Sequence, residues 1–306
     1  MKLPWLLLAC GIFLLVVIAI RTLSKSQRPQ AGDIVREVHS TQITLPSRPG
    51  SLRVWSPTLK SPATPRPVVI YSPGWGGADC ENTRLCELLA DRGFVVLAMD
   101  HPPSSTDGRL EDFDLSTEAS ASAFARGADR ELAARTADIR KLLDRLPGLD
   151  SGEFGGGQLA GRLDISRVGV VGYSFGGAVA AEATRVDPRL RVGVNLDGSL
   201  FGESLISGSM RPFLIVTDNL PPPTEKDLAS SDPCTRRLAE FYSSTFRAYD
   251  LWEQQFHAKV VRVADAEHAD FTDDTSNGNP AAVQRREHIR NVVLDFLQAY
   301  LLPEKS

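Results

Sequence analysis

Short apolar runs dense in β-branched residues recur along this chain, and stretches with apolar residues at helical spacing separate them. The runs are PVVIY (Pro67–Tyr71), FVVLAM (Phe94–Met99), RVGVV (Arg167–Val171), VGVNL (Val192–Leu196), PFLIVT (Pro212–Thr217) and KVVRV (Lys259–Val263). Most lack the in-out alternation of a strand with one wet face, so they read as strands covered on both sides. Asn82 to Asp91, closed by Gly93, places Leu85, Leu88 and Leu89 on one helical face. Arg130 to Leu146 carries Leu132, Ile139, Leu142, Leu143 and Leu146 at helical spacing and is expected to end at Pro147-Gly148. Further helices are predicted over Phe175–Thr184, Thr235–Phe256 and Val283–Leu302, a further short strand over Ser51–Trp55, and a glycine-rich loop over Ser151–Gly161. Strands alternating with helices predict an α/β fold, a mostly parallel sheet with helices on both faces. No linker or repeat interrupts the series, so residues 41–306 read as one domain.

The N-terminal part has a different character. Leu3 to Ile20, LPWLLLACGIFLLVVIAI, is uncharged, with Lys2 before it and Arg21, Lys25 and Arg28 after it. Such a run is long enough to cross a bilayer as a helix. Residues 1–23 therefore read as a transmembrane anchor or a signal segment, and residues 24–40, rich in Ser, Lys, Arg and Gln early on, as a tether. No small-x-small cleavage signature follows the run, which favours an anchor. Cys10 resembles a lipoprotein cysteine, but the apolar run continues past it. All three readings involve export, so the chain is expected either membrane-anchored with an exported catalytic domain, or secreted or periplasmic.

The formal net charge is −4, and no basic run interleaves with aromatics, which argues against a nucleic-acid partner. Beyond the apolar segment the cysteines are Cys80, Cys86 and Cys234. Their odd number rules out complete intramolecular pairing, and their spacing matches no zinc pattern.

The stretch GVVGYSFGG, Gly169 to Gly177, places Ser174 between a predicted buried strand and a predicted helix. That is where a G-x-S-x-G motif makes a nucleophile elbow; the bland alternative is a serine N-cap. A hydroxyl needs a base, an orienting acid and oxyanion donors before it can attack. His268, in DAEHADF after the last strand, is the expected base, because it follows the serine and precedes the terminal helix. His39 precedes the sheet, His101 precedes the serine, and His257 and His288 lie at or within helices. Two carboxylates end the intervening strands, Asp197 after VGVNL and Asp218 after PFLIVT, and spacing does not choose between them. The oxyanion donors are expected to be the backbone N–H groups of Phe175 and, in the loop YSPGWGG, of Trp75. The Trp75 indole has two further readings, a lid over an acyl site or a packed aromatic.

With those residues assembled, the domain resembles the α/β-hydrolases. More narrowly, it resembles platelet-activating factor acetylhydrolases of the type II and plasma kind and bacterial dienelactone-hydrolase-like esterases. The resemblance covers about residues 65–300 and rests on VVIYSPGWGG, LLADRGFVVLAMDH, RTADIRKLLDRL, VGVVGYSFGGA, LDG and HADFTD. The chain departs from it at Pro73, where the family has His, and at Tyr173, where the acetylhydrolases have His. This resemblance implies Asp197 as the acid. Cutinase-like polyester hydrolases share a Gly-Tyr-Ser-x-Gly-Gly elbow and would imply Asp218.

Together these readings predict a serine carboxylic-ester hydrolase working through Ser174, His268 and Asp197, with no metal or organic cofactor. The resemblance implies a short-acyl phospholipid or a small ester as substrate. Aromatics of the 234–256 helix, Phe241, Tyr242, Phe246, Tyr249 and Trp252, are expected either to wall the site or to fill the core. The alternatives are a cutinase-like polyester hydrolase, an acyltransferase on the same residues, or a non-catalytic membrane-anchored binding protein.

Overall fold

The computed structural model describes residues 38–44, 52–57, 64–77, 79, 81–102, 113–273 and 279–302. The apolar segment 3–20 expected as anchor or signal, most of the tether, and Cys80 lie outside the described residues. Among the described residues no helix is long and apolar enough to cross a membrane.

Among the described residues eight strands form one sheet: β1 (Val38–Ile43), β2 (Leu52–Pro57), β3 (Arg66–Ser72), β4 (Val95–Met99), β5 (Leu163–Tyr173), β6 (Leu190–Leu196), β7 (Phe213–Asp218) and β8 (Lys259–Val263). Their spatial order is β1-β2-β4-β3-β5-β6-β7-β8. β2 pairs antiparallel with β1 and β4, and every other pairing is parallel. The helices are α1 (Thr83–Asp91), α2 (Glu118–Ser151), α3 (Phe175–Val186), the single turn α4 (Glu225–Leu228), α5 (Pro233–Phe256) and α6 (Pro280–Leu301).

β4 is buried throughout, and β3, β5, β6 and β7 are buried over most of their length, because both faces are covered. Successive side chains of a strand point to opposite faces. Val68 and Ile70 of β3 therefore join Val95, Leu97, Ile139, Leu142 and Val179 in one core, under α2 and α3. Val69 and Tyr71 join Val96, Ala98, Leu85, Leu89, Val293 and Leu297 in the other, under α1 and α6. A third cluster packs Tyr249 and Trp252 of α5 against Phe213 and Ile215 of β7. Strand order reverses at β3, whose neighbours β4 and β5 carry the chain in opposite directions across the sheet. The crevice at the carboxyl ends of β3 and β5 is where such sheets bind ligands.

Two elements differ most from the sequence expectation. β1 begins at Val38, inside the stretch expected as tether. Only Ile43 of its residues is buried, so pairing with β2 at the sheet edge, rather than an apolar run, makes it a strand. Helix α2 begins at Glu118, capped by Thr117, and it passes Pro147 to end at Gly152, whose φ is 82°. A proline there removes one helical hydrogen bond. Burial of Leu146 and Leu149 on either side keeps the last turn wound. Cys86 and Cys234 are both free thiols.

Candidate active site

β5 delivers the chain to Ser174, where φ is 53° and ψ is −122°, and α3 begins at the next residue. Positive φ is strained for a residue with a side chain. Two flanking glycines make the turn possible. A Cβ on Gly172 would lie 1.8 Å from the Gly176 carbonyl oxygen, and one on Gly176 would lie 2.1 Å from that of Ser72. The turn is tied down by Ser174 N–H to the Leu196 carbonyl at 2.8 Å and Gly177 N–H to the Ser174 carbonyl at 2.9 Å. This holds the hydroxyl above the sheet's carboxyl edge.

Asp197 leaves the end of β6 at a second positive φ, 53°. Its Oδ2 lies 2.6 Å from His268 Nδ1. Its Oδ1 accepts from the Thr217 hydroxyl at 2.8 Å and from the Asp218 N–H at 3.0 Å. On the other side of the imidazole, Nε2 lies 3.0 Å from Ser174 Oγ. His268 opens a short 3-10 turn, His268–Phe271. Tyr173 OH donates to the His268 carbonyl at 3.2 Å, and its ring lies 4.8 Å from the imidazole. Asp270, in the same turn, is held by Arg285 of α6 at 2.7 Å. The imidazole is thus positioned from both the sheet and the last helix.

The structure brings Ser174, His268 and Asp197 into one hydrogen-bonded row. Asp218 sits beside that row, and its contribution to Asp197 is a backbone N–H. Burial alone would raise the Asp197 carboxyl, but the hydrogen bond and charge of His268, with the N–H of Asp218 and the Thr217 hydroxyl, hold it below its ordinary value. Asp218 moves the opposite way, raised first by burial and then by the Asp197 charge.

The loop after β3 lies against the elbow: a Cβ on Gly74 would sit 3.3 Å from Ser174 Cβ. Trp75, the next residue, turns its indole into an aromatic cluster, edge-on to Phe175 with centroids 4.5 Å apart and 5.8 Å from Phe124. Phe241 of α5 joins the cluster through Phe113 and Phe201. Tyr249 and Trp252 of the same helix do not; they are core residues bonded to the carbonyls of Gly198 and Ser204.

Two residues that the sequence reading did not single out hold the Trp75 loop. Glu81 Oε1 accepts from the Gly74 N–H at 2.7 Å and from Tyr71 OH at 2.9 Å. Burial pushes its carboxyl up to about 7, although the Gly74 N–H, the Tyr71 hydroxyl and the Arg135 charge pull the other way. Arg135, on α2, donates to the carbonyls of Pro73 and Gly74, each at 3.0 Å. Arg135 carried a readable signal, a charge within the apolar stripe of Leu132, Ile139 and Leu142. Glu81 carried none, because its partners converge only in the fold.

Residues 48–300 match the family described as Alpha/beta hydrolase family. The chain is 26% identical over 293 residues to a platelet-activating factor acetylhydrolase of Cavia porcellus, covering 84% of this chain and 63% of that protein. It is 25% identical over 174 residues to the protein of that name from Bos taurus, covering 49% of this chain and 39% of that protein. The chain thus spans less than two thirds of the length of these relatives. Among solved structures, a ferulic acid esterase from Streptomyces cinnamoneus superposes with a TM-score of 0.58 at 25% identity, covering 89% of this chain and 92% of that one.

The Glu81 carboxyl makes a testable contribution to pH-dependent stability. Its folded value, about 7, lies above its ordinary 4.5. The stability tied to the protonated form is therefore complete below pH 4.5 and lost as pH rises through 7. Glu81→Gln, which stays neutral, should gain in melting temperature relative to wild type between pH 5 and pH 8. Parallel curves for the two proteins would count against this environment.

Proposed function

The chain belongs to the Alpha/beta hydrolase family, and from that premise we propose that it is a serine carboxylic-ester hydrolase. The observation that carries the reading is the unbroken row from Ser174 Oγ through His268 to Asp197, at 3.0 and 2.6 Å, built on a backbone turn that raises the hydroxyl.

In this reading Ser174 attacks the ester carbonyl while His268 Nε2 takes its proton and later delivers it to the leaving alcohol. Asp197, kept ionised by its partners, fixes the imidazole through Nδ1 and stabilises it once protonated. The N–H groups of Phe175, in the first turn of α3, and of Trp75 receive the developing oxyanion. Water then attacks the acyl-enzyme by the same route. For the substrate we propose a short-acyl phospholipid or small ester. The similarity to proteins named platelet-activating factor acetylhydrolase supports this, as does the aromatic cluster beside Ser174.

A cutinase-like polyester hydrolase would use Asp218 as acid, and the position of Asp197 on His268 favours the first reading. For its location we propose membrane attachment through the apolar run 3–20, with the catalytic domain exported.

A fluorophosphonate probe should label wild type and fail to label Ser174→Ala, with His268→Ala labelling far more slowly; full labelling of Ser174→Ala would refute the nucleophile. Asp197→Asn should lower kcat by about 10³- to 10⁴-fold. Asp218→Asn should stay within about tenfold, and the reverse ranking would move the acid to Asp218. The full chain should sediment with membranes and resist carbonate extraction, whereas a chain lacking residues 1–37 should be soluble. Equal solubility of the two would exclude the anchor.

A further inference from the structure

We propose that Arg135 is a positioning residue that aims the Trp75 N–H at the oxyanion, a role that rests on the reading of Ser174 as nucleophile. The peptide group is planar. In a trans peptide the carbonyl and the following N–H lie in one plane and point in opposite directions. A group that fixes one therefore fixes the other.

Arg135 Nη1 donates to two consecutive carbonyls, those of Pro73 and Gly74, each at 3.0 Å. The Pro73 carbonyl shares its peptide with the Gly74 N–H, and the Gly74 carbonyl shares its peptide with the Trp75 N–H. Both N–H groups are thereby turned away from the guanidinium. The first of them meets Glu81 Oε1 at 2.7 Å, which secures that peptide from its far side. The second belongs to Trp75, in the loop whose Gly74 lies against Ser174. The Gly74 carbonyl also takes the Gly77 N–H at 3.1 Å, so Arg135 acts together with this turn in setting the plane that carries the Trp75 N–H.

Arg135 is suited to this work by its own restraint. Its side chain is 2% exposed, and its Nε is fixed by Glu131, one helical turn earlier, at 2.7 Å. The guanidinium also lies 5.4 Å from the centre of the Phe175 ring, the side chain of the other proposed donor. One buried side chain on α2 thus contacts both segments from which the oxyanion donors come. A planar fork can serve Glu131 and the two carbonyls from different nitrogens, whereas a lysine would have to serve all three from one ammonium.

The decisive variant is Arg135→Lys, which keeps the buried cation opposite Glu131. With p-nitrophenyl acetate, kcat should fall about 10- to 100-fold per active site while KM changes less than about threefold. Active sites are counted by fluorophosphonate labelling, so a misfolded fraction does not enter the result. Affinity for a trifluoromethyl ketone, which forms an oxyanion on the serine, should fall by the same factor as kcat/KM. A purely structural arginine would lower melting temperature and the count of labelled sites, leaving per-site kcat and inhibitor affinity intact, and that result would overturn the proposal. If Arg135→Lys does not fold, Glu131→Gln carries the same test, with a smaller matched loss expected and unchanged values overturning it. Wild type that takes no label at Ser174 would overturn the nucleophile and this role together. Label at Ser174 with an unaltered Arg135→Lys would overturn this role alone.

Discussion

The turn at Ser174 is the constraint on which the rest of the site depends. A serine held at positive φ costs about 1–3 kcal/mol, and the surrounding structure has to supply it. It does so through the parallel neighbour β6, whose Leu196 carbonyl takes the Ser174 N–H, and through close approach of the loop after β3 to α3. Neither contact exists until β3, β5 and β6 lie side by side. The elbow is therefore a product of the sheet's order, and it places the hydroxyl where that order reverses.

Around the imidazole stand three carboxyl groups with different fates. Asp197 touches His268 and is held ionised by every donor available to its oxygens. Asp218, its sequence-level rival, is raised by burial and by the charge of Asp197 itself. Glu81, under the loop of Trp75, is raised chiefly by burial. Adjacent carboxyl groups whose environments push their values apart take separate roles. Here the carboxylate held below its ordinary value is the one that lies against the imidazole. In the proposed mechanism that carboxylate stabilises His268 once the imidazole is protonated.

The sheet was legible because burial on both faces leaves a plain mark, a run such as PVVIY or PFLIVT without polar interruption. The serine motif was legible because its glycines meet a local steric demand. β1 was not, since an exposed edge strand is defined by its partner and leaves no apolar run. The first turns of α2 were hidden by their alanines and serines, which give no periodic stripe although Phe124 and Ala128 are buried. The choice between Asp197 and Asp218 was illegible from spacing for a geometric reason. Both end adjacent parallel strands, and only the direction in which each chain leaves the sheet decides which carboxylate faces His268. At Asp197 that direction comes from a positive φ, which no residue pattern announced.

The aromatic cluster ties the space beside Ser174 to the segments proposed to carry the oxyanion donors. Trp75 and Phe175, proposed to supply the two backbone donors, also pack their rings against each other at 4.5 Å in an edge-to-face contact. Phe124 lies against Trp75, Phe201 against Phe175, and Phe241 reaches both of those rings from α5. Packing at this density transmits displacement from one side chain to the next. A ring that moves to admit a larger acyl or alcohol group therefore pushes on the segments that carry the donor N–H groups. In such a site selectivity for substrate size appears in kcat as well as in KM. On the proposed mechanism a misfitting substrate loses oxyanion stabilisation along with contact area, because the same residues are proposed to provide both.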